Sequence, residues 1–166
     1  KRRWERDNRR FIREHRLEAG PEAQRRVQTE KLLSRIRDWV GALDPEQEGR
    51  LAAMADALPL IARLRHEDRL RRQREFLDLM AQRDDPARFR GRLRRWLLDW
   101  EQGRAPEYAR ASEAWWRGHS ALYVAADRML RPAQRATAAR RLQDYAEDFA
   151  RLARQGAQTQ AAAASR

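Results

Sequence analysis

The 166-residue sequence contains no cysteine, which excludes disulfides, thiol nucleophiles, Cys-ligated zinc and iron–sulfur clusters. It does not fix the compartment, because an envelope protein can do without cysteine altogether. Valine, isoleucine and threonine together number nine, and no stretch alternates apolar and polar residues with the period of two that a half-buried strand needs. Enzyme signatures are missing as well: there is no G-x-S-x-G, no phosphate loop, no glycine-rich fingerprint and no metal-ligand spacing. Ser34, Ser112, Ser120 and Ser165 lie in no nucleophile context, and Asp84-Asp85 before Pro86 reads as a helix cap rather than a carboxylate pair. The expectation is a protein that is not an enzyme and carries no cofactor and no metal.

What is abundant is charge. Charged residues make up 37% and hydrophobic residues 42% of the chain, so it is neither a membrane-spanning protein nor an apolar-poor disordered one. The net charge is +12, and the bases are 35 arginines against Lys1 and Lys31. Genome composition produces such a bias as readily as function does. Residues 1–20 hold eight bases and four acids, 86–102 five and two, and 132–154 five and three. A nucleic-acid domain gathers its bases on one face or arm; this even spread argues against that class.

Proline and glycine punctuate the chain at Gly20-Pro21, Gly41, Pro59, Pro86, Gly103, Pro106, Pro132 and Gly156. Proline suits a first helical turn and glycine the position past a helix end. The division gives about seven helices, over 2–18, 22–40, 45–58, 60–82, 86–102, 106–130 and 132–155. The fold class is all-α: a single antiparallel helical bundle or cradle-like array over residues 1–156, followed by an Ala/Gln-rich tail, 157–166, expected to be frayed or disordered. Phe89, Leu93, Trp96, Leu97 and Trp100 mark one face of the fifth helix. Tyr108, Trp115, His119, Leu122, Ala126 and Met129 mark the sixth, and Leu142, Tyr145, Phe149 and Leu152 the seventh. All three read as core-facing stripes with wet outer faces. Trp4, Asn8, Phe11 and His15 align on the first helix from its beginning, which reads as a piece of a longer chain that starts elsewhere.

Candidate binding residues come from helices four and five. Ile61, Leu64, Phe76 and Leu79 form an apolar side of the fourth helix, yet Asp68, Arg72 and Glu75 project onto it. Buried charge demands partners, so this is either an interhelical ion-pair network or an Arg-bearing groove for a carboxylate, phosphate or peptide. Glu67, Asp68, Arg71 and Arg72 are the first candidates, followed by Arg88, Arg92 and Arg95 on the polar face of the fifth helix. Trp96 and Trp100 are expected to meet Trp115 and Trp116 across the Gly103–Pro106 turn. Trp116, at the edge of its stripe, is a candidate anchor for a partner or, beside arginine, a stacking platform for bases. His15 and His119 read as buried hydrogen-bonded residues and His66 as exposed.

Leu43-Asp44-Pro45-Glu46-Gln47 and Leu130-Arg131-Pro132-Ala133-Gln134 share the form Leu-x-Pro-x-Gln. Each reads as a helix start: Leu43 or Leu130 before the cap, Pro45 or Pro132 in the first turn, and Gln47 or Gln134 able to reach back to the cap N–H. Asp44 is a good cap and Arg131 a poor one. The pair resembles the Leu-Thr-x-x-Gln repeats of the Spy-type periplasmic chaperones, cradle-shaped helical dimers that hold unfolded clients, with Asp44 and Arg131 in the threonine position. A longer set is similar to the C-terminal half of a proteobacterial lipoprotein family of unknown function. It comprises Lys1 through Phe11, Trp39-Val40, Asp56-Ala-Leu-Pro59, Glu67-Asp-Arg-Leu-Arg-Arg-Gln73, Asp84-Asp-Pro86 and Leu98-Asp-Trp-Glu101. That resemblance implies a periplasm-facing lipoprotein, anchored to the outer membrane through a lipid on a part of the full-length chain not present here. It supplies no catalytic residue. The reading that combines these features is a non-catalytic envelope binding or scaffold protein, chaperone-like toward unfolded or acidic polypeptide, with a homodimer conceivable as its assembly. A basic nucleic-acid-binding module and a purely structural domain packed on a missing N-terminal half are the alternatives.

Overall fold

A computed structural model describes the backbone of residues 2–164 and the side chains of residues 2–157. It is all-α, with seven helices and no strand among the described residues. They are α1 (Arg2–Glu14), α2 (Pro21–Val40), α3 (Pro45–Asp56), α4 (Ala62–Met80), α5 (Pro86–Leu98), α6 (Pro106–Met129) and α7 (Pro132–Ala164). Proline occupies the first turn of α2, α3, α5 and α6 and begins α7, where its missing N–H leaves no bond unmade. α2 ends at Gly41, whose φ of 84° lets its N–H close on the Arg37 carbonyl at 2.8 Å; a side chain there would be strained.

The main core is built from α2, α3 and α6. Leu32, Leu33, Ile36 and Val40 of α2 meet Leu51 and Ala55 of α3, Leu58 and Ile61 of the following link, and Trp115, Leu122 and Ala126 of α6. α7 lies against α2 through its first turns, with Ala138 packed on this core. Gly118 makes the α6 contact close, since a Cβ there would stand 2.4 Å from Leu58 Cδ2. α1, α4 and α5 pack through a chain of rings, Trp4–Phe76 at 5.7 Å and Phe76–Trp96 at 5.2 Å between centroids. The amides of Asn8 and Gln73 are paired beside them.

Four expectations are corrected. α1 stops at Glu14 and α5 at Leu98, each about a turn before the boundary read from sequence, and 15–18 form turns. α7 continues in helical conformation through Ala164, so 157–164 are backbone helix, while 165–166 lie outside the described residues. The stripe on α5 does not reach a core: no residue of that helix is buried, and Leu97 and Trp100 are exposed. The stripe on α7 faces outward over Leu142, Tyr145, Phe149 and Leu152. The α6 stripe does form core, through Tyr108, Trp115, Leu122 and Ala126.

This division of burial has a measurable consequence. Leu51 is 1% exposed and Leu98 64%. Leu51→Ala is expected to cost about 2–5 kcal/mol of unfolding free energy, whereas Leu98→Ala stays within about 0.5 kcal/mol, as read by urea denaturation of both variants.

Candidate functional site

The two Leu-x-Pro-x-Gln segments, 87 positions apart, come together as one interlocked unit. In each, the glutamine oxygen accepts the N–H of its own cap residue: Asp44 N–H to Gln47 Oε1 at 3.0 Å and Arg131 N–H to Gln134 Oε1 at 2.9 Å. The glutamine nitrogens reach across. Gln47 Nε2 donates to the Met129 carbonyl and Gln134 Nε2 to the Ala42 carbonyl, both at 2.8 Å, and each also donates to the other's Oε1 at 3.0 Å. Met129 stands two residues before Arg131 and Ala42 two before Asp44, so the arrangement is two-fold in pattern. The poor cap, Arg131, instead pairs its guanidinium with the Asp44 carboxylate at 2.7 Å. Asp44 accepts the Gln47 N–H, and that bond, with Arg131 adding to it, holds its carboxyl below the usual range. Gln47 is the one buried polar side chain among the described residues. Its amide uses both donor hydrogens and accepts twice, so nothing in it is left unpaired.

The helix-four candidates form a second network. Arg71 binds Asp68 at 2.7 Å, Glu75 at 2.5 Å and the Gln102 carbonyl at 3.0 Å. Gly103, at φ 77°, leaves the space this guanidinium needs: a Cβ would sit 2.9 Å from Arg71 Nη1. Arg72 donates to the Trp100 and Trp96 carbonyls at 2.7 and 3.2 Å and lies 4.3 Å over the Trp96 ring. Arg71 and Arg72 thus tie the end of α5 and the loop after it to α4, as an ion-pair network would. Glu67 is exposed and takes no part.

Of the remaining candidates, Arg92 and Arg95 join Arg72 on one cleft, while Arg88 and Trp116 lie apart. Arg88 pairs with Asp85 at 3.8 Å on the surface. Arg92 and Arg95 border an open cleft of about 410 Å³ between α4 and α5, alongside Arg72, Glu75 and Asp99. Trp116 is 57% exposed and meets Trp115 edge-on at 5.0 Å. The expected four-tryptophan cluster does not form: Trp96 contacts Phe76, while Trp100 stacks under Arg104.

An apolar surface not anticipated from sequence lies elsewhere. Leu142, Tyr145, Phe149 and Leu152 repeat at three- and four-residue spacing along α7, and Phe149 is 68% exposed. At its near end the stripe runs into an apolar groove of about 350 Å³, whose walls include Ile36, Trp39, Val40, Tyr123, Leu130 and Leu142. Trp39 and Tyr145 join the two, ring to ring at 5.6 Å. The spacing was legible in the sequence; which amphipathic stripe lacks a covering helix was not.

Two of the three histidines depart from expectation, while His15 has the hydrogen-bond partner expected of it in Lys31. His66 is half-buried, stacked on Phe11 at 5.8 Å, with its Nδ1 buried and unpartnered. His119 stacks on Trp115 at 4.3 Å and its Nε2 is likewise unpartnered. Burial, then the cations Lys31 and Arg65, push His15 down to about 4. Among the described residues no group of three or more His, Asp or Glu is placed to hold a metal, and no helix is long and apolar enough to cross a membrane.

No protein-family model, curated protein or solved structure matches the chain.

A histidine held neutral in the folded protein binds its proton more readily once unfolded. Its contribution is complete above the ordinary value of 6.5 and is lost as the pH falls from there toward 4. Melting temperature is therefore expected to fall over that interval. His15→Asn should flatten the decline, as followed by circular dichroism across pH.

Proposed function

We propose that the protein is a non-catalytic helical binding protein of the cell envelope that holds apolar segments of unfolded polypeptide. The observation that carries this reading is the outward α7 stripe, continuous with the groove at Trp39. Four large apolar side chains in sequence on one exposed helical face exceed what scattered surface residues provide and fit the i, i+3, i+7 pattern by which helices engage apolar chain segments. Acids and arginines flank the stripe, with Asp148 and Arg151 paired to each other, so the rim is polar and close to neutral. The resemblance to Spy-type chaperones and to a proteobacterial lipoprotein family of unknown function supports the same class and, with it, a periplasm-facing, lipid-anchored setting as part of this proposal. A nucleic-acid role draws less support, because the bases are spread over every segment of the chain rather than gathered on one arm.

Aggregation of a thermally unfolding client, followed by light scattering at about 150 mM salt, tests the proposal under conditions where the Debye length is about 8 Å. Suppression near equal molar ratio is expected for the wild-type chain. Its loss is expected in the double variant Phe149→Ser, Leu152→Ser, whose exposed positions leave the core intact. Absence of suppression, or equal suppression by the double variant, contradicts the proposal.

A further inference from the structure

Three cationic side chains without an ion pair among the described residues border one cavity where α2, α4, α6 and the end of α1 converge. A small cavity of about 70 Å³ there is bordered by Lys31 and Arg35 of α2, Arg65 of α4, His15 and Trp115. Lys31 and Arg35 stand one turn apart and so share a helix face. Lys31 Nζ lies 3.5 Å from His15 Nε2, and the Arg65 guanidinium lies 5.5 Å from the Trp115 ring. None of the three cationic heads makes an ion pair among the described residues. The acid that acts on Lys31 is Glu14, whose carboxylate is already held by Arg10 at 2.5 Å.

The neighbouring bases register this field. Burial lowers Lys31, and Arg35 lowers it further against the pull of Glu14. His119 is lowered by burial and then by Arg35 and Arg65, so both of the latter act on the same flank. Elsewhere on α4, Asp68 and Glu75 hold Arg71, carbonyls hold Arg63 and Arg72, and Arg69 lies over the Phe11 ring. Here the fold collects an ammonium and two guanidiniums round a cavity and pairs none of them with a carboxylate among the described residues, although Lys31 meets the His15 ring nitrogen.

We propose that this cavity is an oxyanion site that takes a phosphate group, held by Lys31, Arg35 and Arg65 with His15 at its edge. Two guanidinium forks and an ammonium offer more donors than a single carboxylate can accept, and a phosphate offsets one of the three charges as the monoanion of acid solution and two as the dianion. The volume admits a group of a few heavy atoms rather than a nucleotide. Free phosphate and a phosphomonoester lipid headgroup present the same chemistry.

The three histidines report on the site by NMR. Inorganic phosphate, titrated at constant ionic strength against chloride, is expected to raise the His15 titration midpoint from about 4 by about one pH unit or more, saturably. His66, which does not border the cavity, should stay. The double variant Arg35→Gln, Arg65→Gln should lose the response; Arg35→Gln alone, at an exposed position, should weaken it even if the double variant folds poorly. A second arm sediments the protein with phosphatidylcholine vesicles with and without phosphatidic acid. Variant-sensitive binding to the phosphatidic acid vesicles identifies the headgroup as a ligand, and a response confined to inorganic phosphate identifies the free ion. An unmoved His15, an equal shift of all three histidines, or responses that the variants leave unchanged would overturn the proposal.

Discussion

The junction of Gln47 and Gln134 fixes how the main body of this protein is assembled. Each amide closes the first turn of its own helix and then satisfies a carbonyl that the opposite loop leaves open. Only a primary amide at the end of a glutamine stem does both: a carboxylate has no hydrogens to donate, and an aliphatic side chain would leave the Met129 and Ala42 carbonyls without these donors. Because the two loops are locked face to face, α3 is set on α6 and α7 on α2. The apolar core of Leu51, Ala55, Leu122 and Ile36 then closes between them. The surface ion pair of Asp44 and Arg131 adds little energy by itself, but it lets a residue that cannot cap a helix take part in the same junction.

Arginine has a recurrent structural task elsewhere. Arg25 donates to the Asp56 carbonyl at the end of α3, Arg63 to the Leu17 carbonyl after α1, Arg72 to Trp96 and Trp100 about the end of α5, and Arg135 to Asp127 at the end of α6. Terminal helix carbonyls have no partner within the helix and lie at the negative end of its dipole. A long, permanently charged donor from a neighbouring element suits them. Four of the 35 arginines serve the fold in this way. Lys31, Arg35 and Arg65 differ in bordering one cavity together without an ion pair among the described residues.

Helix number and class followed from punctuation by proline and glycine, because those residues act locally. The α6 stripe was legible for the same reason, as its period alone defines the face. The fate of the α5 and α7 stripes was not, since an apolar face is core only if another element covers it. Nor did local sequence reveal that the two Leu-x-Pro-x-Gln segments touch: each is a complete helix start by itself, and its leftover amide hydrogens acquire meaning only once the other loop is alongside. Asp68, Arg71 and Arg72 were recognisable as charges needing partners. Their acceptors in Gln102, Trp96 and Trp100 are backbone atoms, which no residue pattern advertises.

Assembly of the main body requires that the two glutamines act as one unit. A double-mutant cycle on Gln47→Ala and Gln134→Ala, measured by chemical denaturation, reads that directly. Interlocked amides predict that the double variant loses less than the sum of the single losses, with a coupling energy of about 1–3 kcal/mol. Losses that add to within about 0.5 kcal/mol would show two independent helix caps and contradict the account.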